Sequence, residues 1–340
     1  YDFWTRINDA KEDFWRKTGK ETSGNMAVLK PEEQVRILQL YDRILDHANK
    51  KAQEIGGPVC PTYFYYEVEN YQKDQDGILP LKFAVKRTPD FLEGSVHAMK
   101  LAKTIEEKER IYNHVKESRL YDRELHMYKV NASLSEATFE LGRACAFTPG
   151  WLENESVWLH MEYKYLLELL KAGLYEQFAK DFHSCAVPFL NEETYGRSLL
   201  ENSSFIASSV NPNKKIRGKG FVARLSGSTA EFLQMWQIMM FGQKPFILED
   251  GELKLNLSPC LPEYLIKGEK TLETTFLGSI KVTYHTGGME SLIPGSCQVE
   301  EILLTDREGK TQTLKQVRGK QAEKLRAGFY EKMEVKFMKG

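Results

Sequence analysis

The sequence predicts a mainly α-helical domain over residues 1–242, followed by a small β-rich domain over residues 243–340. Three observations carry that expectation. Apolar residues recur three and four apart in long stretches before residue 242. The stretch 228–241 is apolar on nearly every side, which marks a helix enclosed by neighbours. After Gly242 the apolar period drops towards two, in short runs separated by Gly, Pro and Asp.

Taken in order, residues 1–30 are polar and aromatic, with Gly19 and Gly24 marking loop. Pro31-Glu-Glu opens a helix, because Pro fits a first turn and acids favour the positive helix end. Val35, Leu38, Tyr41, Ile44, Leu45, Ala48 and Ala52 form its apolar stripe, and Gly56-Gly57-Pro58 stops it. The aromatic run 63–68 fits either a short strand or an irregular wall of a pocket. A second helix is expected over about 93–116 and a third over about 156–182, with Leu159, Leu166, Leu169, Leu170 and Leu174 as its stripe. The fourth is 228–241. Strands are then expected at 246–248, 253–257, 279–284 and 299–304.

The 47 basic and 48 acidic residues leave a net charge of -1. That balance excludes a dominant nucleic-acid or anionic-membrane surface and leaves room for a local basic pocket. No run of 18 apolar residues and no opening signal segment occurs, so no membrane partner is expected. Cys60, Cys145, Cys185, Cys260 and Cys297 form no C-x-x-C pair. They read as reduced thiols of a cytoplasmic protein. No His/Asp/Glu cluster has ligand spacing, so no metal is expected. The chain opens at Tyr1, within what reads as structure, and is expected to be a piece of a longer polypeptide.

Two loop-to-helix junctions bear chemistry. The first is Trp151-Leu-Glu-Asn-Glu-Ser-Val-Trp-Leu-His160, after the loop Phe147-Thr-Pro-Gly150. Such a junction turns backbone N–H groups and a positive helix end outward, a favourable place for an anion. On local chemistry alone, a capped helix start carrying a satisfied histidine accounts for it as well. The second is Arg224-Leu-Ser-Gly-Ser-Thr229, whose hydroxyls and glycine suit phosphate or sugar oxygens, or a plain helix cap. It lacks the G-K-[ST] ending of a phosphate-binding P-loop.

Glu153-Asn154…His160, Glu201-Asn-Ser-Ser-Phe205, Leu225-Ser-Gly-Ser228 and Leu257-Ser-Pro-Cys-Leu-Pro262 occur in one order. That order resembles glycoside hydrolase family 94, the cellobiose phosphorylase type of inverting glycoside phosphorylase. The family's corresponding runs are E-N-G-G-x-F-x-H, E-P-Y-x-Y, L-T-G-T-A and I-D-P-C-I-P. The likeness spans roughly residues 90–285 and is nearest the large β-1,2-oligoglucan phosphorylases. It implies part of an (α/α)6 toroid ahead of the β-rich domain. It also implies phosphorolysis of β-linked glucooligosaccharides to α-glucose 1-phosphate, with inorganic phosphate as co-substrate and no cofactor. His160, Ser226 and Gly227 match the family's phosphate-binding positions. Trp151, Glu153, Asn154 and Glu201 match or adjoin its sugar site. Glu155-Ser156 in place of Gly-Gly, and Asn202-Ser203 in place of Pro-Tyr, mark a divergent branch.

An inverting phosphorylase needs one acid to protonate the leaving oxygen while phosphate attacks from the opposite face. The family's W-N-D motif places that acid at Asp9, in Arg6-Ile-Asn-Asp-Ala, although Ile7 replaces the Trp. Glu153 is the reserve. The family's phosphate-binding arginine is expected outside this chain, so the fragment can be inactive alone. A homodimer is compatible with these residues. Rival readings are an α-toroid hydrolase, a glucan transglycosylase domain, and a non-catalytic carbohydrate-binding fragment.

Overall fold

The computed structural model describes residues 2–19, 29–57, 62–73, 75, 77–222 and 226–340. The chain forms two compact units, Tyr1–Leu101 and Ala102–Gly340. In the first, α1 (Asp2–Thr18) and α2 (Pro31–Gly56) precede a hairpin of β1 (Phe64–Lys73) and β2 (Ile78–Arg87), then α3 (Leu92–Leu101). Pro31 and the acids Glu32 and Glu33 stand in the first turn of α2, as the sequence requires. The α1 helix is not among the expected helices, and it ends just before Gly19, which the sequence marks as loop. Its Phe3, Ile7 and Phe14, with Trp4 and Trp15, recur at helical spacing between charged residues. Gly24 lies outside the described residues, and so do Pro58, Cys60 and the start of the Arg224-Leu225 motif. The aromatic run after Tyr63 is a true strand. Its register runs from Phe64↔Arg87 to Lys73↔Ile78, with an irregularity beside Asn70.

The second unit opens with α4 (Ile105–Glu117), then the two-residue strands β3 (Tyr121–Asp122) and β4 (Met127–Tyr128). The expected helix over 93–116 is therefore two helices. Thr104 caps the second: its hydroxyl accepts the Glu107 amide at 3.2 Å, and the Glu107 carboxylate accepts the Thr104 amide at 3.2 Å. Next come β5 (Val157–Trp158), α5 (Leu159–Lys171), α6 (Tyr175–Cys185) and α7 (Glu192–Tyr195). The expected helix over 156–182 is likewise split, because Gly173 holds φ +83 and turns the chain between α5 and α6. Then follow β6 (Phe205–Ile206), β7 (Gly220–Phe221) and α8 (Ser226–Phe241).

Leu159, Leu166, Leu169 and Leu170 of α5 are buried, as are Phe178 and Phe182 of α6 and Met235 and Met239 of α8. Phe232 of α8 stacks on Phe182 at 6.2 Å. Not every face of α8 is enclosed: Leu233 is 61% exposed. Its apolar surround exceeds what its neighbours cover.

Beyond α8 lie the hairpin β8 (Phe246–Glu249) and β9 (Glu252–Leu255), then α9 (Glu263–Ile266), β10 (Thr271–Phe276), β11 (Ile280–His285), β12 (Cys297–Asp306), β13 (Thr311–Leu314), α10 (Gly319–Arg326) and β14 (Tyr330–Lys339). Five of these strands make one mixed sheet in the order β10-β11-β14-β12-β13. β11 and β14 are parallel, and the other neighbours are antiparallel. Alternation buries Ile280, Val282 and Tyr284 on β11 and Met333, Val335 and Phe337 on β14. The Tyr284 hydroxyl donates to the Met240 carbonyl at 2.7 Å, tying the sheet to the end of α8.

These observations correct the expected mainly α-helical fold with a partial (α/α)6 toroid. Helices take 42% and strands 26% of the described residues, across ten helices and fourteen strands. The structure is mixed α/β. The expectation fails because two long apolar periods that predict single helices are each divided, one at the Thr104 cap and one at the Gly173 turn. It also missed the hairpin in the first unit, the short strands that carry the α5 and α8 junctions, and the middle strand β14. The pairing of β11 with β14 is set by residues some fifty positions apart, a separation that local periodicity does not register.

Behind the first turns of α5 lies a polar cluster. Glu162 is fully buried, and its Oε1 accepts the Tyr128 amide at 2.8 Å. Asp181 accepts from the Lys116 ammonium at 2.8 Å and from the Tyr128 hydroxyl. Burial pushes the Glu162 carboxyl up to about 8, against the Tyr128 amide, which favours the charged form.

Candidate functional site

The segment leading to His160 is a compact double turn. Gly150 adopts φ +76, and its carbonyl accepts the Ser208 amide at 3.3 Å. A bridge then joins Trp151 to Asn154, and Leu152 and Glu155 both hold positive φ. Asn131 pins the turn from outside: its Nδ2 donates to the Glu153 carbonyl at 2.6 Å, and its Oδ1 accepts the Glu155 amide at 2.7 Å. A Cβ at position 150 would fall 2.8 Å from the Asn211 amide nitrogen, in a conformation that L residues rarely adopt. Gly150→Ala is therefore expected to cost about 3 kcal/mol of stability, a strained backbone plus overpacking. Urea unfolding measures it, and a loss below about 0.5 kcal/mol would mean that the turn relaxes freely.

From this turn the chain enters β5, which pairs with β6 through Val157↔Ile206 and Trp158↔Phe205. β6 pairs in turn with β7 through Phe205↔Phe221 and Ile206↔Gly220. Both pairings are antiparallel, so β5 and β7 point the same way. Each runs on towards a helix, α5 directly and α8 after a short connection. This three-stranded sheet thus brings the starts of both helices to one end, where first-turn amides and positive dipole ends favour an anion. The Leu159 amide is already spent on the Ser204 carbonyl at 3.2 Å.

His160 stands in the first turn of α5, and its ring lies against Gly227 in the first turn of α8. A Cβ added at position 227 would come within 2.7 Å of His160 Cγ and Nδ1 and 2.8 Å of Cε1. Only a glycine admits the ring that closely. Ser226 is the first residue of the helix. One turn beyond Gly227, Glu231 brings Oε1 to 3.7 Å from His160 Nε2, with the two side chains 17% and 34% exposed. Ser228 is fully buried, and its hydroxyl has no hydrogen-bond partner among the described residues. Glu231 did not figure in the sequence reading. Its signal was the four-residue spacing from Gly227, which puts both on one helix face.

The other expected residues are placed variously. Asp9 is exposed in the interior of α1, in the first unit. Glu153 accepts from the exposed Arg143 guanidinium at 2.9 Å. Asn154 donates to the Phe147 carbonyl at 2.7 Å, while its buried Oδ1 has no partner among the described residues. Glu201 is exposed and pairs with Arg197 at 2.9 Å. Trp151 sits edge-on to Phe205 and Phe221, at 4.9 and 4.5 Å, and Trp158 lies parallel to Phe205. Both indoles are thus built into an aromatic cluster on the β5–β6–β7 sheet.

The arrangement can do two things chemically. Two helix starts and an imidazole can hold an anion, and the imidazole with Glu231 can hold or pass a proton. Among the described residues, no helix is long and apolar enough to cross a membrane. No protein-family model matches the sequence, and no curated protein matches it.

Proposed function

We propose that this chain takes part in inverting phosphorolysis of β-linked glucooligosaccharides, giving α-glucose 1-phosphate and a shortened glucan. The observation that carries the proposal is the closure of the His160 ring on Gly227. Two residues that the sequence matched to a phosphate site, 67 positions apart, are thereby neighbours at two adjacent helix starts. In this reading phosphate occupies that junction, held by His160, the Ser226–Gly227 turn and the helix dipoles. A phosphate oxygen attacks the anomeric carbon as the glycosidic bond breaks. The leaving oxygen takes a proton from a carboxylic acid, for which Asp9 is the candidate. Glu153, Asn154, Glu201 and Trp151 are assigned to the sugar side. The free thiols Cys145, Cys185, Cys260 and Cys297 fit a cytoplasmic setting.

A second reading has one specific observation behind it. Glu231 places a carboxylate beside His160, where an anionic nucleophile would meet repulsion. A carboxylate there suits a hydrolase, in which it would hold a water molecule. One experiment separates the two: β-linked glucooligosaccharides incubated with and without phosphate. The expected result is phosphate-dependent release of glucose 1-phosphate. In the same assay, His160→Ala is expected to raise the KM for phosphate at least about tenfold while leaving the KM for glucan within about twofold. Sugar release without phosphate would replace phosphorolysis by hydrolysis, and equal losses for both substrates would make His160 structural.

A further inference from the structure

A cavity of about 380 Å³ opens at the other end of the small sheet, lined by Arg119, Asp122, Arg123, Glu124, Lys129 and Glu155, among others. Glu155 enters β5 and Ser209 follows β6, so this cavity lies opposite the end from which α5 and α8 depart. Its wall holds a buried ion pair. Lys129 Nζ donates to Glu155 Oε1 at 2.8 Å, with side-chain exposures of 6% and 9%. Among the described residues, this is the one hydrogen bond that either charged group makes. Two ammonium N–H donors and the second carboxylate oxygen therefore have no protein partner. Buried charges persist when their hydrogen-bonding capacity is met, and here the cavity must supply what meets it.

The geometry points to a binding site for a neutral polyhydroxylated ligand, a sugar, whose hydroxyl accepts from Lys129 and donates to Glu155. Three features select that class. Donor and acceptor stand side by side, and a hydroxyl is both at once. The lining carries three cations (Arg119, Arg123, Lys129) and three carboxylates (Asp122, Glu124, Glu155), so it draws neither a phosphate nor a cation. The site is also built in advance. Asp122 Oδ1 accepts the Glu124 and Leu125 amides at 3.1 Å, and its Oδ2 accepts the Ser209 amide at 2.7 Å, fixing both rims. Glu155 holds φ +58, a conformation costly for a residue with a side chain, and its reach to Lys129 offsets that cost. The inference does not rest on phosphorolysis.

The test is a titration of the isotope-labelled chain with a β-linked glucobiose and, separately, inorganic phosphate, read at the amide resonances of Glu124, Glu155 and Ser209. This readout is local, so sugar bound elsewhere does not enter it. Saturable shifts are expected with the glucobiose and none with phosphate. The neutral double variant Lys129→Met/Glu155→Gln removes both charges together and is expected to weaken the response at least about tenfold. Arg119→Ala, which alters an exposed rim, is expected to weaken it about threefold. His160→Ala is expected to leave it unchanged, which separates this site from the phosphate junction. Three results would overturn the inference: no saturable shift at about 50 mM sugar, an undiminished response in the double variant, or tighter binding of phosphate than of sugar.

Discussion

Glu162→Gln is expected to stabilise the protein, and to do so far more at about pH 8.5 than at about pH 5. Glu162 is buried and pairs with no cation among the described residues, since the nearby Lys116 is engaged by Asp181. Among the described residues its Oε2 accepts no hydrogen bond from an N–H or O–H group, and the Cys185 thiol beside the carboxyl favours the charged form less than burial opposes it. Burial pushes its carboxyl from the ordinary 4.5 up to about 8. Between those values the folded protein keeps a proton that the unfolded chain has released. The unfolded state then binds fewer protons, so this residue makes stability fall as pH rises from 4.5 to about 8. Above that the loss is complete, on the order of 4 kcal/mol. Glutamine keeps the oxygen that accepts the Tyr128 amide and carries no charge to desolvate. The groups facing the site, Asp181, Lys116, Tyr128 and Cys185, are the same in both proteins, so the difference between them isolates Glu162. Urea unfolding of both at the two pH values measures it. An equal difference at both would show that Glu162 ionises in the fold without penalty.

Glu162 also shows what was legible in the sequence and what was not. The stripe on α5 marked Leu159, Leu166, Leu169 and Leu170 as buried, and they are. Glu162 itself stands in that stripe, three residues after Leu159 and four before Leu166, but a stripe traced through apolar residues alone passes over a carboxyl. Local signals carried the rest of the success: the proline and acids opening α2, the Gly242 stop after α8, and alternation along β11 and β12. Two-residue strands such as β5, β6 and β7 have too few residues to show a period. Yet this small sheet is what sets the helix starts of α5 and α8 side by side. The junction at His160 and Gly227 was reached through the order of motifs, whereas Glu231 and the Lys129–Glu155 pair come from contacts between distant segments. The toroid failed for the same reason: motif order says nothing of how many strands lie between helices.

Gly227→Ala is expected to lower kcat/KM for phosphate about a hundredfold, with a stability cost of about 2 kcal/mol. The added methyl would meet the His160 ring at 2.7 Å, so the ring must leave its place or α8 must shift. Either movement takes the imidazole off the junction where phosphate is proposed to sit. A double-mutant cycle with His160→Ala distinguishes this from a general defect. Once the ring is gone, the methyl has room, and alanine is the better helix former by up to about 1 kcal/mol. The effect of Gly227→Ala on stability should therefore change sign, from destabilising beside His160 to neutral or stabilising in the His160→Ala background. Catalysis should show no further loss there, because both substitutions remove the same contact. The cycle has two measurable corners, urea unfolding and phosphate kinetics, and they fail separately. A stability cost that persists without the ring would mean that the methyl strikes something other than His160. A reversed stability cost with undiminished use of phosphate would leave the packing as described and move the phosphate elsewhere.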